Sequence, residues 1–173
     1  MKFNYYAFKA IYLHEMDRFR RTLGQSLLSP VISTSLYFIV FGSVIGGYVQ
    51  NIDGISYGSY IVPGLLMLTL LTQSISNTSF GIFFPKFNGT IYEILAAPIS
   101  TLEVVLAFVG AGATKTVIVG VMIFITSMFF VEVEVKYPLL MIFLLLLVSF
   151  TFALFGFLIG LMSKNFEQMS VIP

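Results

Sequence analysis

Four long apolar runs separated by short polar intervals dominate the chain, at about residues 27–49, 60–84, 103–130 and 138–162. At ~1.5 Å of rise per residue, each is long enough to cross a hydrocarbon core of ~30 Å as a helix. Ahead of them, Phe3 to Arg21 interleaves aromatic residues (Phe3, Tyr5, Tyr6, Phe8, Tyr12, Phe19) with charges. That pattern predicts an amphipathic helix at the inner membrane surface, within an N-terminal unit of residues 1–26. Asp17 and Arg21 stand at the favourable acid-first i,i+4 spacing on it. Residues 27–173 read as one transmembrane domain, and the final Met169 to Pro173 as the opening of a fifth span. The fold class expected is all-α: a polytopic transmembrane helix bundle of four complete spans and the start of a fifth.

The longest polar-punctuated interval is Phe87 to Glu103. Thr90 and Glu93 make a Thr-x-x-Glu capping box, while Ile91, Ile94 and Leu95 give an apolar face at helical spacing. Pro98 ends this short helix. Ser100 and Glu103 form a second capping box that starts the third span.

Polar and small residues punctuate the spans. Thr69, Gln73 and Asn77 repeat at four and share a face, which lipid cannot satisfy and which should look into a bundle or a watery path. Gly42 and Gly46, and Gly156 and Gly160, are pairs four apart that permit close helix approach. Lys115 falls near the middle of the third span. A lysine there costs about 2.5–3.5 kcal/mol on insertion scales. It therefore meets an anionic substrate or a counter-charge from another segment, or it snorkels to the inner face.

Composition sharpens the class. The chain is 58% hydrophobic and 10% charged, with a mean hydropathy of +0.97, against about a quarter charged in soluble domains. Cysteine is absent, which excludes disulfides, thiolate metal sites and cysteine nucleophiles. The charged start, Lys2 to Arg21, is unlike a signal peptide. A net charge of +1 makes no case for nucleic acid. The distribution of charge says more: Lys2, Lys9, Arg18, Arg20, Arg21, Lys86 and Lys164 fall on one side of the predicted spans and Lys136 on the other. The positive-inside rule then places the N-terminus and residues 85–103 in the cytoplasm. The segments Gln50 to Ser59, with Tyr48, Tyr57 and Tyr60 as an aromatic belt, and Glu132 to Lys136 become external turns.

Other candidate chemistry is thin. Gly110 to Thr116 imitates a phosphate loop, but Thr114 stands where glycine should precede the lysine, and no strand leads into it. The sequons at Asn77 and Asn88 fall inside the membrane and in the cytoplasm. His14, with Glu15 and Asp17 beside it, reads as a solvated helix face rather than a metal site. A membrane enzyme acting on lipids or isoprenoids would want clustered acidic or histidine side chains near the membrane. A secondary transporter would show an internal repeat. Neither is evident in this sequence, and both remain alternatives to an ATP-driven permease.

Three stretches carry a family likeness: Ser56-Tyr-Gly-Ser-Tyr-Ile-Val-Pro-Gly-Leu65, Lys86-Phe-Asn-Gly-Thr-Ile-Tyr-Glu-Ile-Leu-Ala-Ala-Pro-Ile-Ser100 and Lys164-Asn-Phe-Glu-Gln-Met-Ser-Val-Ile-Pro173. With them the chain resembles the ABC-2 type permeases of bacterial inner membranes. The resemblance implies a multi-pass subunit with a cytoplasmic N-terminus that dimerises and works as an exporter with a separate ATP-binding subunit. ATP would be bound by that partner, leaving no catalytic, cofactor or metal site in this chain. It also implies that the segment after the second span is a coupling helix. Asn88, Gly89 and Thr90 would begin it, Glu93 would cap or contact, and Ile94 and Leu95 would press against the ATPase. Residues 3–21 would be the family's interfacial helix. Lys115, Thr69, Gln73 and Asn77 remain candidates for a polar pathway. The family pattern has six transmembrane helices, so a chain that stops at an opening fifth departs from it.

Overall fold

The computed structural model describes residues 3–45, 51–52, 55–131, 133 and 135–170. Helix α1 (Tyr5–Arg21) is followed by α2 (Leu23–Tyr37), which continues into a π-helical segment, Phe38–Ile45. Two-residue strands β1 (Asn51–Ile52) and β2 (Ile55–Ser56) pair antiparallel, Asn51 with Ser56 and Ile52 with Ile55. Then come α3 (Tyr57–Phe87), α4 (Ile91–Ala96), α5 (Thr101–Ser127), α6 (Pro138–Met162) and α7 (Phe166–Ser170). Among the described residues, four helical stretches, Leu23–Gly42, α3, α5 and α6, are long and apolar enough to cross a membrane. The fold is the expected all-α polytopic bundle. Tyr48, Gly46, Asp53, Glu132, Glu134 and residues 171–173, which figure in the expected turns, glycine pair and fifth span, lie outside the described residues.

Helix α3 is the centre of the bundle, packed against α5, α6 and the π-helical segment. Its polar second half is split by the helical period. Ser74, Thr78 and Ser79 are buried with Ile75 and Ile82, and Ser74 donates to the Ser149 carbonyl of α6 at 2.6 Å. Gly156 and Gly160 face this same surface. A Cβ on Gly156 would lie 2.5 Å from the carbonyl oxygen of Ile75 and 2.8 Å from its Cα, and one on Gly160 would lie 2.6 Å from the carbonyl oxygen of Ser79. The pair thus lets α6 touch α3 backbone to backbone within one chain, as small residues do between membrane helices. A Cβ on Gly42 would meet nothing within 4 Å, although the Gly42 Cα lies 3.7 Å from where a Cβ on Gly58 of α3 would stand.

The second run begins earlier than its first apolar residues suggest, because Ser56 caps α3 by accepting from the Ser59 amide at 3.3 Å. It also ends later. Pro85 sits in its last turn, where the Asn88 amide still reaches the Phe84 carbonyl at 3.0 Å. The first run turns π-helical after Tyr37, although π geometry is usually confined to single-turn bulges. Phe38 is buried there and stacks on Phe130 with ring centroids 6.0 Å apart.

Gly156→Val forces a side chain into the α3 backbone, and overpacking of this kind costs roughly 1–3 kcal/mol. It should lower the thermal unfolding midpoint of the detergent-solubilised chain by several degrees. Gly64→Ala, where nothing lies within 4 Å of the added atom, should leave the midpoint unchanged or slightly raised.

Candidate functional site

The segment expected to serve as a coupling element folds as a short helix, α4, after the end of α3. Asn88 closes α3, and Gly89 adopts φ +80°, a left-handed conformation that reverses the chain. Helix α4 then starts from backbone bonds alone: the Tyr92 amide donates to the Gly89 carbonyl and the Glu93 amide to the Thr90 carbonyl, both at 3.1 Å. The Thr90–Glu93 capping box is not made. Thr90 is itself already helical, at φ −62° and ψ −20°, and its side chain caps nothing. A capping hydroxyl needs an extended residue to reach forward, and the glycine turn removes that need. The second box does form. Ser100 accepts from the Glu103 amide at 3.4 Å, and Glu103 accepts from the Ser100 amide at 2.9 Å.

No residue of α4 is fully buried. Ile91 and Ile94, with Ile99 beyond Pro98, pack inward on the cluster of Ile82, Val104, Phe108, Val109, Ala153 and Phe157. The outward face carries Tyr92, 73% exposed, and Leu95, 67% exposed, with Glu93 beside them. Ile94, expected to press on a partner, belongs instead to the inner face. Tyr92 takes its place on the outer one, a position that a strict i,i+3,i+4 apolar count passes over because tyrosine scores as neither face.

The supports of α4 reach the rest of the bundle. Lys86 Nζ donates to the Leu161 and Ser163 carbonyls at 2.6 and 2.9 Å, placing a cation on the unpaired carbonyls where α6 ends. Phe83 and Phe87 hold Phe166 of α7 edge-on, with centroids 4.9 and 5.1 Å away. Glu103 is buried and accepts, besides Ser100, the amide of Asn4 at 2.6 Å. The start of α1, the Pro98 joint and the start of α5 therefore share one carboxylate.

Lys115 does not stand in an open path. It is buried, and its Nζ lies 2.7 Å from Oε2 of Glu15 on α1. The counter-charge comes from a segment that the sequence suggests is solvated. Glu15 is turned away from exposed His14 and Asp17, so these three side chains do not converge. Asp17 pairs with Arg20 at 4.0 Å, not with Arg21, and that exposed contact contributes little. Thr69, Gln73 and Asn77 are half-buried on one side of α3. Thr69 donates to its own helix at the Leu65 carbonyl, 2.9 Å away. Asn77 donates to Gln73 at 3.3 Å. Their hydrogen bonds stay within α3 and recruit no other helix.

The family profile described as "ABC-2 type transporter" matches residues 6–173. The "Inner membrane transport permease YadH" of Escherichia coli strain K12 is 36% identical over 167 residues, 96% of this chain and 65% of that protein. The same permease of Shigella flexneri gives the same figures. "Nodulation protein J" of Azorhizobium caulinodans is 23% identical over 121 residues, 69% of this chain and 48% of that protein. The chain thus spans about two thirds of the length of the first relatives and about half of the last. No solved structure matches it.

The two capping sites differ in what they hold. Ser100→Ala removes a side-chain bond and exposes the start of α5, with an expected loss of about 1 kcal/mol. Thr90→Ala removes no such bond. Thermal or denaturant titration of the two variants should separate them in that order, and an equal loss at both would contradict the geometry.

Proposed function

Because the chain belongs to the ABC-2 type transporter family, we propose that it is a transmembrane permease component of an ATP-driven exporter in a bacterial inner membrane. A separate ATP-binding cassette subunit supplies ATP hydrolysis, and two permease copies form the path. The N-terminus and α4 face the cytoplasm.

The observation that carries this proposal is α4 itself. A six-residue helix is too short to be stable alone in water, yet here it is seated through Ile91 and Ile94 on the bundle core while Tyr92, Glu93 and Leu95 are offered outward. Aromatic and aliphatic side chains around one charge suit a docking surface. A rigid-body movement imposed there would pass through Glu103 to α5 and through Lys86 and the phenylalanine cluster to α6 and α7. Asn88, Gly89 and Thr90 shape the turn rather than forming the docking face. The polar side of α3, Thr69, Gln73 and Asn77, is the surface available to a second copy or a pathway. Lys115, engaged with Glu15, is assigned no substrate.

Glu93→Arg and Leu95→Asp should each lower co-purification of the ATP-binding subunit from native membranes by about ten-fold, as loss of an interface hot spot would, while leaving membrane insertion unchanged. Undiminished co-purification in both would sink the docking role. Orientation has its own check. With no native cysteine, a maleimide that cannot cross the membrane should label Ile55→Cys in intact cells and label Asn88→Cys only after permeabilisation.

A further inference from the structure

Helix α1 follows α5 in step. Asn4 meets Glu103, Tyr12 donates to Thr114 Oγ1 at 3.0 Å, and Glu15 meets Lys115. The separations in sequence are 99, 102 and 100 residues. Two helices of equal rise whose contacts keep a near-constant offset run parallel. The N-terminal helix therefore lies along the flank of α5 over about three turns.

One of these contacts differs in kind from the others. The Glu15 and Lys115 side chains are 2% and 4% exposed, and Oε2 of Glu15 is also 2.9 Å from Arg18 of its own helix. Oε1 is buried without a partner. Gly81 of α3 leaves room for the carboxylate, since a Cβ there would stand 3.3 Å from Oε2. The carboxylate thus sits in the angle between α3 and α5. A buried ion pair of this sort is weak evidence for stability, because apolar side chains of similar volume often do as well. Its distinctive property is position. Ile11 of α1, which packs against the core cluster, would find apolar neighbours after a slip of one turn. Glu15 would find no second cation on α5, where Lys115 is the only basic residue.

We propose that Glu15 and Lys115 are positioning residues that fix the register of α1 on α5, so that α1, α4 and the start of α5 move as one body. The consequence for transport rests on the coupling role proposed above. The register itself does not.

The test needs neither substrate nor ATPase. Spin labels at Leu13→Cys on α1 and Leu102→Cys at the start of α5, both exposed positions, are placed in the full chain in vesicles of phosphatidylethanolamine and phosphatidylglycerol. Pulsed electron resonance should give one narrow distance. Lys115→Met should broaden it or shift it by about one helical turn, ~5 Å, and should also lower the unfolding midpoint, because it leaves the buried Glu15 carboxylate without Lys115. Glu15 keeps Arg18 in that variant, but Arg18 belongs to the same helix and cannot hold α1 in place. Glu15→Gln/Lys115→Met, which buries no charge at this site, should broaden it in the same way. Lys115→Arg should keep the parent distance. A narrow parent distance in Lys115→Met or in the double variant would overturn the proposal while leaving the docking role of α4 untouched.

Discussion

The bundle depends on the approach of α3 and α6 without side chains between them. Gly156 and Gly160 set the Ile75 and Ser79 backbone directly against α6, and that contact decides which face of α3 is buried. With Ser74, Thr78 and Ser79 turned inward, Thr69, Gln73 and Asn77 fall on the other side of the helix. The same docking carries Lys86 onto the last carbonyls of α6. Close packing between apolar helices in lipid has no hydrophobic driving force behind it, so shape and hydrogen bonds must supply the contact. Here they do both, through two glycines and the Ser74 hydroxyl.

The small helix and its supports form a second level built on the first. Core residues from α3, α5 and α6 make a seat for Ile91 and Ile94, and a positive-φ glycine turns the chain to place them there. Glu103 then ties three elements through two oxygens, accepting from Asn4 and Ser100. A chain of this family built this way presents α4 on rigid helical ends, with no long loop between α3 and α5.

Much of this was legible in the sequence. Four spans, the all-α class and the helix between them followed from run lengths and proline, and the Ser100–Glu103 box was readable from its spacing alone. The Thr90–Glu93 box has the same spacing yet does not form, because Gly89 at φ +80° already starts the helix; a four-residue pattern does not report the conformation of the residue before it. Glu15 was misplaced for a related reason. Its neighbours His14 and Asp17 are charged or polar and exposed, so local composition points to water, whereas its partner lies 100 residues away. Pairing across that distance leaves no local mark. Lys115 did carry a mark, as a cation needing an anion, but its spans held no candidate.

The π-helical segment at Phe38–Ile45 bears on how this chain can vary. A bond from i to i+5 encloses one residue more than the α-helical bond, so such a segment is an α-helix that has absorbed an insertion. Loss of one residue between Phe41 and Ile45 would let it relax toward the α form with little change in where its ends lie. Loss of one residue in the middle of α3 would rotate every later side chain by about 100°, carrying Ser79 and Ile82 off the face that meets α6. Length variation among related sequences is therefore expected to concentrate in the first membrane span and to be excluded from the third helix.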